Sequence, residues 1–111
     1  MLIMNLKRYA RLYAETEDGK WLKDFDWQKV PVITISELPC DIVGMYSFGK
    51  IVLLDTNVEL IFSTYIHELR HRWQWKKSPL KYIVGKIYRP LIEDDADLET
   101  VKADEFILRN I

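Results

Sequence analysis

The chain has 111 residues, 49% of them apolar and 13% aromatic, and a formal net charge of −1 at pH 7. This length and composition predict one domain, residues 1–111, with an apolar core of its own, and they exclude a disordered chain and a uniformly charged surface. The single cysteine, Cys40, excludes an internal disulfide framework and suits a reducing compartment.

The first eight residues carry their positive charges behind an apolar run, the reverse of a secretory signal, and no run nears the roughly 18 apolar residues of a membrane span. A cytoplasmic protein without membrane contact is therefore expected. Residues 2–15 carry Leu2, Ile3, Leu6, Tyr9, Ala10 and Tyr13 at helical spacing, which predicts an amphipathic helix that ends in the turn chemistry before Gly19. Residues 20–29 hold Trp21, Phe25 and Trp27 among charges without a clear period, the pattern of a connection whose rings cover the edge of the core. Residues 30–36 alternate and are β-branched, a strand that Pro31 confines to a sheet edge or to its own first residue. Two further strand-like runs, 42–48 and Lys50–Leu54, meet at Gly49 and predict a β-hairpin. Gly44 marks a bulge or a close backbone approach.

Thr56 and Glu59 have capping-box spacing and predict a helix from about Asn57. Its buried stripe is Val58, Ile61, Phe62, Tyr65, Leu69 and Trp73, and Lys76 and Lys77 suit its C-terminus. Ser78 and Pro79 then open a helix with Leu80, Ile83, Val84 and Ile87, which Pro90 breaks. A final helix over 91–109 has Leu91, Ile92, Leu98, Val101, Phe106 and Ile107 as its apolar positions. The fold class is thus α+β, with four helices and a small sheet of about three strands.

Both histidines of the chain lie in His67-Glu68-Leu69-Arg70-His71, an HExxH pattern inside the second predicted helix. Residues i and i+4 of a helix share a face about 6 Å apart along the axis, so two imidazoles can grip one tetrahedral cation, with Glu68 beside the metal-bound water. A hydrolytic zinc needs a third protein ligand and leaves its fourth position to water. No other histidine exists, so Cys40 or a carboxylate is required, and the acidic run Glu93-Asp94-Asp95-Ala96-Asp97 offers several. Glu93 and Asp97 stand one turn apart, and Ala96 between them permits close helix approach.

His67-Glu-Leu-Arg-His71 followed by Glu93-Asp-Asp-Ala-Asp97 resembles the HExxH and ExxAD pair of the gluzincin zinc metallopeptidases, and the chain length resembles their single-domain minimal form, the minigluzincins. The resemblance implies a zincin-like fold, one Zn2+ per chain and zinc metalloendopeptidase activity on peptide or protein substrates. It implies His67, His71 and Glu93 as ligands, Glu68 as general base and acid acting on a zinc-activated water, and Asp97 as a group holding a ligating imidazole from behind. Asp94 and Asp95 remain competing ligands. Tyr82, Tyr88 and Arg89 are candidate oxyanion stabilisers. Gln74, three residues after His71, is either a hydrogen-bonding neighbour of the site or a solvated helix residue.

Substrate docking is assigned to the strand Lys50, Ile51, Val52, Leu53 and Leu54, read as a sheet edge because it enters the HExxH helix through only two residues. The same edge offers a route to self-association. Between positions 67 and 89 there are seven Lys or Arg, and between 91 and 105 seven Asp or Glu. The series Arg70, Arg72, Lys76, Lys77 and Lys81 with Trp73 and Trp75 reads as a wet helix face, and it also supports the alternative of a latent or non-catalytic zinc module that engages protein or nucleic acid through that face, in the manner of SprT-like proteins.

Overall fold

Leu6, Ala10 and Tyr13 recur at helical spacing, and all three are buried on the first helix, α1 (Leu2–Ala14). The computed structural model describes residues 2–39, 42–47, 49–87 and 90–111, the side chains of 47, 85–87, 90 and 91 excepted. After α1, two short 3₁₀ turns, Lys20–Asp24 and Trp27–Lys29, carry Trp21, Leu22 and Trp27 into the core itself rather than over its rim. Three strands follow, β1 (Val32–Ile35), β2 (Gly44–Ser47) and β3 (Lys50–Leu54), and then three helices, α2 (Val58–Lys77), α3 (Pro79–Ile87) and α4 (Pro90–Asn110). Four helices and a three-stranded sheet make this a small α+β fold. Among the described residues no helix is long and apolar enough to cross a membrane.

The sheet has the order β1-β3-β2. β2 and β3 form the expected antiparallel hairpin, closed by Gly49 at φ 81°, a left-handed conformation that glycine adopts without a Cβ penalty. β1 pairs parallel to β3, with Val32 opposite Ile51 and Ile35 opposite Leu54. This corrects the docking assignment: Lys50–Leu54 is the central strand, not an edge. Its backbone is already used on both sides, the Ile51 N–H donating to Pro31 O at 2.8 Å and the Leu54 N–H to Val43 O at 2.9 Å. Neither a substrate nor a second copy can add to it, and the unpaired edges of the sheet belong to β1 and β2. The chain enters α2 from the centre of the sheet, and β3 there buries Ile51 and Leu53 wholly.

α2 is the central helix, packed on α1, on the sheet and most extensively on α4. Ile61, Phe62, Tyr65, Ile66 and Leu69 are fully buried, and Ile66 lies outside the single stripe expected because a helix covered on several sides has no one apolar face. Asn57, not Thr56, is its N-cap, and the capping box does not form: Glu59 is then the second helical residue, one short of the position that reaches back. α4 turns Ile92, Ala96, Glu99, Ala103 and Ile107 inward, while the expected apolar positions Leu98 and Val101 are exposed. Alanine at 96 and 103 lets the two helix backbones come close. In α3, Leu80, Ile83 and Val84 are exposed rather than buried, and Pro90 serves as the first residue of α4, where its missing N–H costs no helical bond.

Gly44 is a close approach, not a bulge: it pairs regularly with Leu53, and a Cβ there would lie 2.5 Å from Thr64 Cγ2 and 2.9 Å from Leu53 Cδ2. Gly44→Ala forces β2 away from α2 and is expected to destabilise the fold by about 1–3 kcal/mol. The urea midpoint measures this, and an unchanged midpoint would show that β2 stands off the helix.

Candidate metal centre

α2 sets His67 and His71 one turn apart on the side that faces α4, and α4 brings Glu93 against both. The two Nε2 atoms are 3.2 Å apart. Glu93 Oε2 lies 3.3 Å from His67 Nε2, and Oε1 lies 3.1 Å from His71 Nε2. One ligand atom from each of the three residues falls within 4.8 Å of the others. Two imidazole nitrogens and a carboxylate this close together are an N,N,O donor set of the kind that could hold Zn2+. With the histidines neutral, the three converging atoms are all acceptors once each ring carries its proton on Nδ1. A cation between them satisfies all three at once.

Glu68 is buried at 8% exposure beside this group. Burial, together with the negative charge of Glu93, pushes its carboxyl up to about 7. Burial, and then the neighbouring His71, lower His67. Tyr82 stands over His71 with ring centroids 6.3 Å apart, and its hydroxyl is raised by burial and then by Tyr46, Glu68 and Glu93, so all four groups share one electrostatic neighbourhood.

Of the expected site residues, His67, Glu68, His71, Glu93 and Tyr82 are thus brought together. Asp97 is at the back of His67, but its Oδ1 is 3.6 Å from Nδ1, beyond hydrogen-bond range, and Thr100 Oγ1 at 3.0 Å takes that contact. Asp94 is exposed, and Asp95 is turned away into a two-pronged pair with Arg70, whose Nε and Nη2 donate at 2.7 and 2.9 Å. Cys40, Tyr88 and Arg89 lie outside the described residues.

Arg70 is the largest correction to the wet basic face. Its side chain is 12% exposed, and its guanidinium lies 3.9 Å from the Trp73 ring centroid and 4.9 Å from that of Trp21. Arg72 donates to the Tyr46 hydroxyl. The lysines at 76, 77 and 81 remain exposed, so the basic series is split between interior and surface. Gln74 is a partner of the site, its Oε1 2.8 Å from His71 Nδ1. Thr100 was not anticipated, although it lies seven residues after Glu93, two turns along the same face. A groove of about 700 Å³ between α2, α3 and α4, lined by Trp73, Gln74, Leu80, Tyr82, Val84 and Ile92 among others, reaches Gln74 and Tyr82 beside His71 but is not lined by His67, Glu68, His71 or Glu93.

Comparison with protein-family models, with curated proteins and with solved structures found no match to the chain.

The hydrogen bond from Arg70 holds the Asp95 carboxyl below the ordinary 3.8, with the Gln74 amide and the Arg70 charge adding to it. A carboxyl depressed in the folded state contributes stability that is present above its unfolded value and lost as pH falls through the folded one. Arg70→Met should therefore cost about 2 kcal/mol at neutral pH, discounted from a fully buried pair because Asp95 is 36% exposed. The gap to wild type should narrow as pH drops below about 4. Urea titrations over that range measure both, and a pH-independent difference would show that the pair does not carry it.

Proposed function

We propose that this chain is a small zinc metallopeptidase of gluzincin-like design, with a zincin-like arrangement of its sheet and helices. The observation that carries the reading is the convergence of His67 Nε2, His71 Nε2 and the Glu93 carboxylate, with a buried Glu68 next to His67 on the same helix. A purely structural zinc site closes its fourth position with another ligand and has no use for a buried carboxylate beside it. Among the described residues no further His, Cys, Asp or Glu joins the three.

His67, His71 and Glu93 would hold the zinc, which would supply Lewis acidity toward a peptide carbonyl and a water. Glu68 takes the proton of the attacking water onto its carboxylate and returns it to the nitrogen of the leaving amine. A carboxyl whose proton affinity burial has raised toward neutrality suits both halves of that transfer. Tyr82, whose ring packs against His71, would donate its phenolic hydrogen to the carbonyl oxygen as charge develops there, a role that its raised proton affinity supports. Substrate backbone would meet the free edge of β2, whose Tyr46 lies in the same neighbourhood, rather than β3. The alternative, a latent or non-catalytic zinc module engaging protein or nucleic acid through its basic helix face, loses Arg70 from that face and keeps Lys76, Lys77 and Lys81 on it.

Purified wild type should hold one zinc per chain and cleave unstructured peptides, and His67→Ala should lose the metal. Glu68→Gln should keep fold and zinc while hydrolysis falls by about 100-fold or more. Metal analysis alongside a fluorogenic peptide assay reads both. Full activity in Glu68→Gln would overturn the mechanism, and equal zinc in His67→Ala the site.

A further inference from the structure

A histidine binds a metal through Nε2 only if its proton sits on Nδ1, so whatever accepts that proton sets how often the ligand is ready. In the gluzincin-like pattern that acceptor would be Asp97, yet Asp97 is out of range. What stands behind the two rings is a pair of neutral side chains from two different helices, with the Ala96 carbonyl beside Thr100 at His67.

We propose that Thr100 and Gln74 are the positioning residues of the metal centre, fixing the tautomer and the ring angle of His67 and His71 respectively. The inference rests on the metal reading given above and names the groups that prepare the site for the ion.

Each acceptor is committed to that role by its own other bonds. The Thr100 hydroxyl donates its one hydrogen to Ala96 O at 3.1 Å, so toward His67 Nδ1, 3.0 Å away, it presents a lone pair. The Gln74 amide donates both hydrogens from Nε2, one to Ile92 O at 2.9 Å and one to Asp95 Oδ2 at 2.8 Å. Turning that amide over would set its oxygen against two other oxygens, so Oε1 is held toward His71 Nδ1 at 2.8 Å. Each ring therefore donates from Nδ1 and turns a bare Nε2 toward Glu93. Asp95 is itself fixed by the fork of Arg70, which makes a continuous path of hydrogen bonds from Arg70 through Asp95 and Gln74 to His71. Asp95, in the run that offered competing zinc ligands, acts on the centre through Gln74 and not by ligation.

The test is competition of the purified chain against a chromogenic chelator for Zn2+, with Co2+ substitution to read ligand geometry from its visible absorption. Thr100→Val and Gln74→Leu should each weaken zinc binding by about 10- to 100-fold and alter the cobalt spectrum. Thr100→Ser, which keeps the hydroxyl, should restore both. The melting temperature and far-UV circular dichroism of the metal-free Thr100→Val protein should match wild type, which separates positioning from folding. Wild-type zinc affinity in both Thr100→Val and Gln74→Leu, with the wild type itself binding one zinc, would overturn the positioning roles and leave the metal site standing. No zinc uptake by the wild type would overturn the metal reading and this inference with it.

Discussion

The Arg70 guanidinium is the interaction on which the arrangement of the other elements depends. It is nearly buried on α2, forks onto Asp95 of α4, lies across the rings of Trp21 and Trp73, and stands 3.9 Å from Glu99. Glu99, 3% exposed, accepts from Trp21 Nε1 at 2.9 Å and from the Tyr13 hydroxyl at 3.2 Å. One cation and two carboxylates therefore tie α1, the first 3₁₀ turn, α2 and α4 together. Buried charges persist only when they are paired and hydrogen-bonded, and removing one member leaves the others uncompensated. The network also fixes the rotation of α4 about its axis relative to α2. Asp95 and Glu99 must both face Arg70, and that requirement sets where Glu93, one half-turn before Asp95, can point.

Distance between the two helices is set by a different device. Ala96 and Ala103 have no exposed surface, and with side chains this small the α4 backbone lies close to α2. A glutamate has a short reach, so a larger residue at 96 would carry Glu93 away from both imidazoles. Packing and electrostatics thus divide the work: alanines set the separation, and the Arg70 network sets the angle.

Much of this was legible in the chain. Local patterns gave the helices within a few residues, the hairpin at Gly49, Pro31 at the start of an edge strand, and the spacing of His67, Glu68 and His71, because each of these depends on neighbours in sequence. The errors share a cause, which is pairing between distant residues. Nothing local shows β3 to be a central strand, because its partner β1 ends about fifteen residues earlier and joins it in parallel, and no local signal marks a parallel pair. The burial of Arg70 is invisible locally because, apart from neighbouring Trp73, its partners come from positions 21, 95 and 99. Of the apolar positions of α4, Leu98 and Val101 face solvent, while Ala96, Glu99 and Ala103 go inward with Ile92 and Ile107.

The acidic run of α4 illustrates what periodicity alone leaves open and geometry resolves. Successive residues of a helix point about 100° apart, so four neighbouring carboxylates cannot serve one ion. Glu93 faces the histidines, Asp94 faces solvent, Asp95 faces Arg70 and Gln74, and Asp97 stays two-thirds exposed behind His67. Only the residue at 93 needs the longer side chain, since it must span from one helix to a point between two imidazoles on another. The aspartate at 95 meets an arginine that reaches toward it, and a shorter side chain suffices. Side-chain length and angular position together therefore separate the roles within the run, and the negative charge that looks uniform in sequence meets three different environments in space: one at the histidine pair, one in water, and one forked by Arg70.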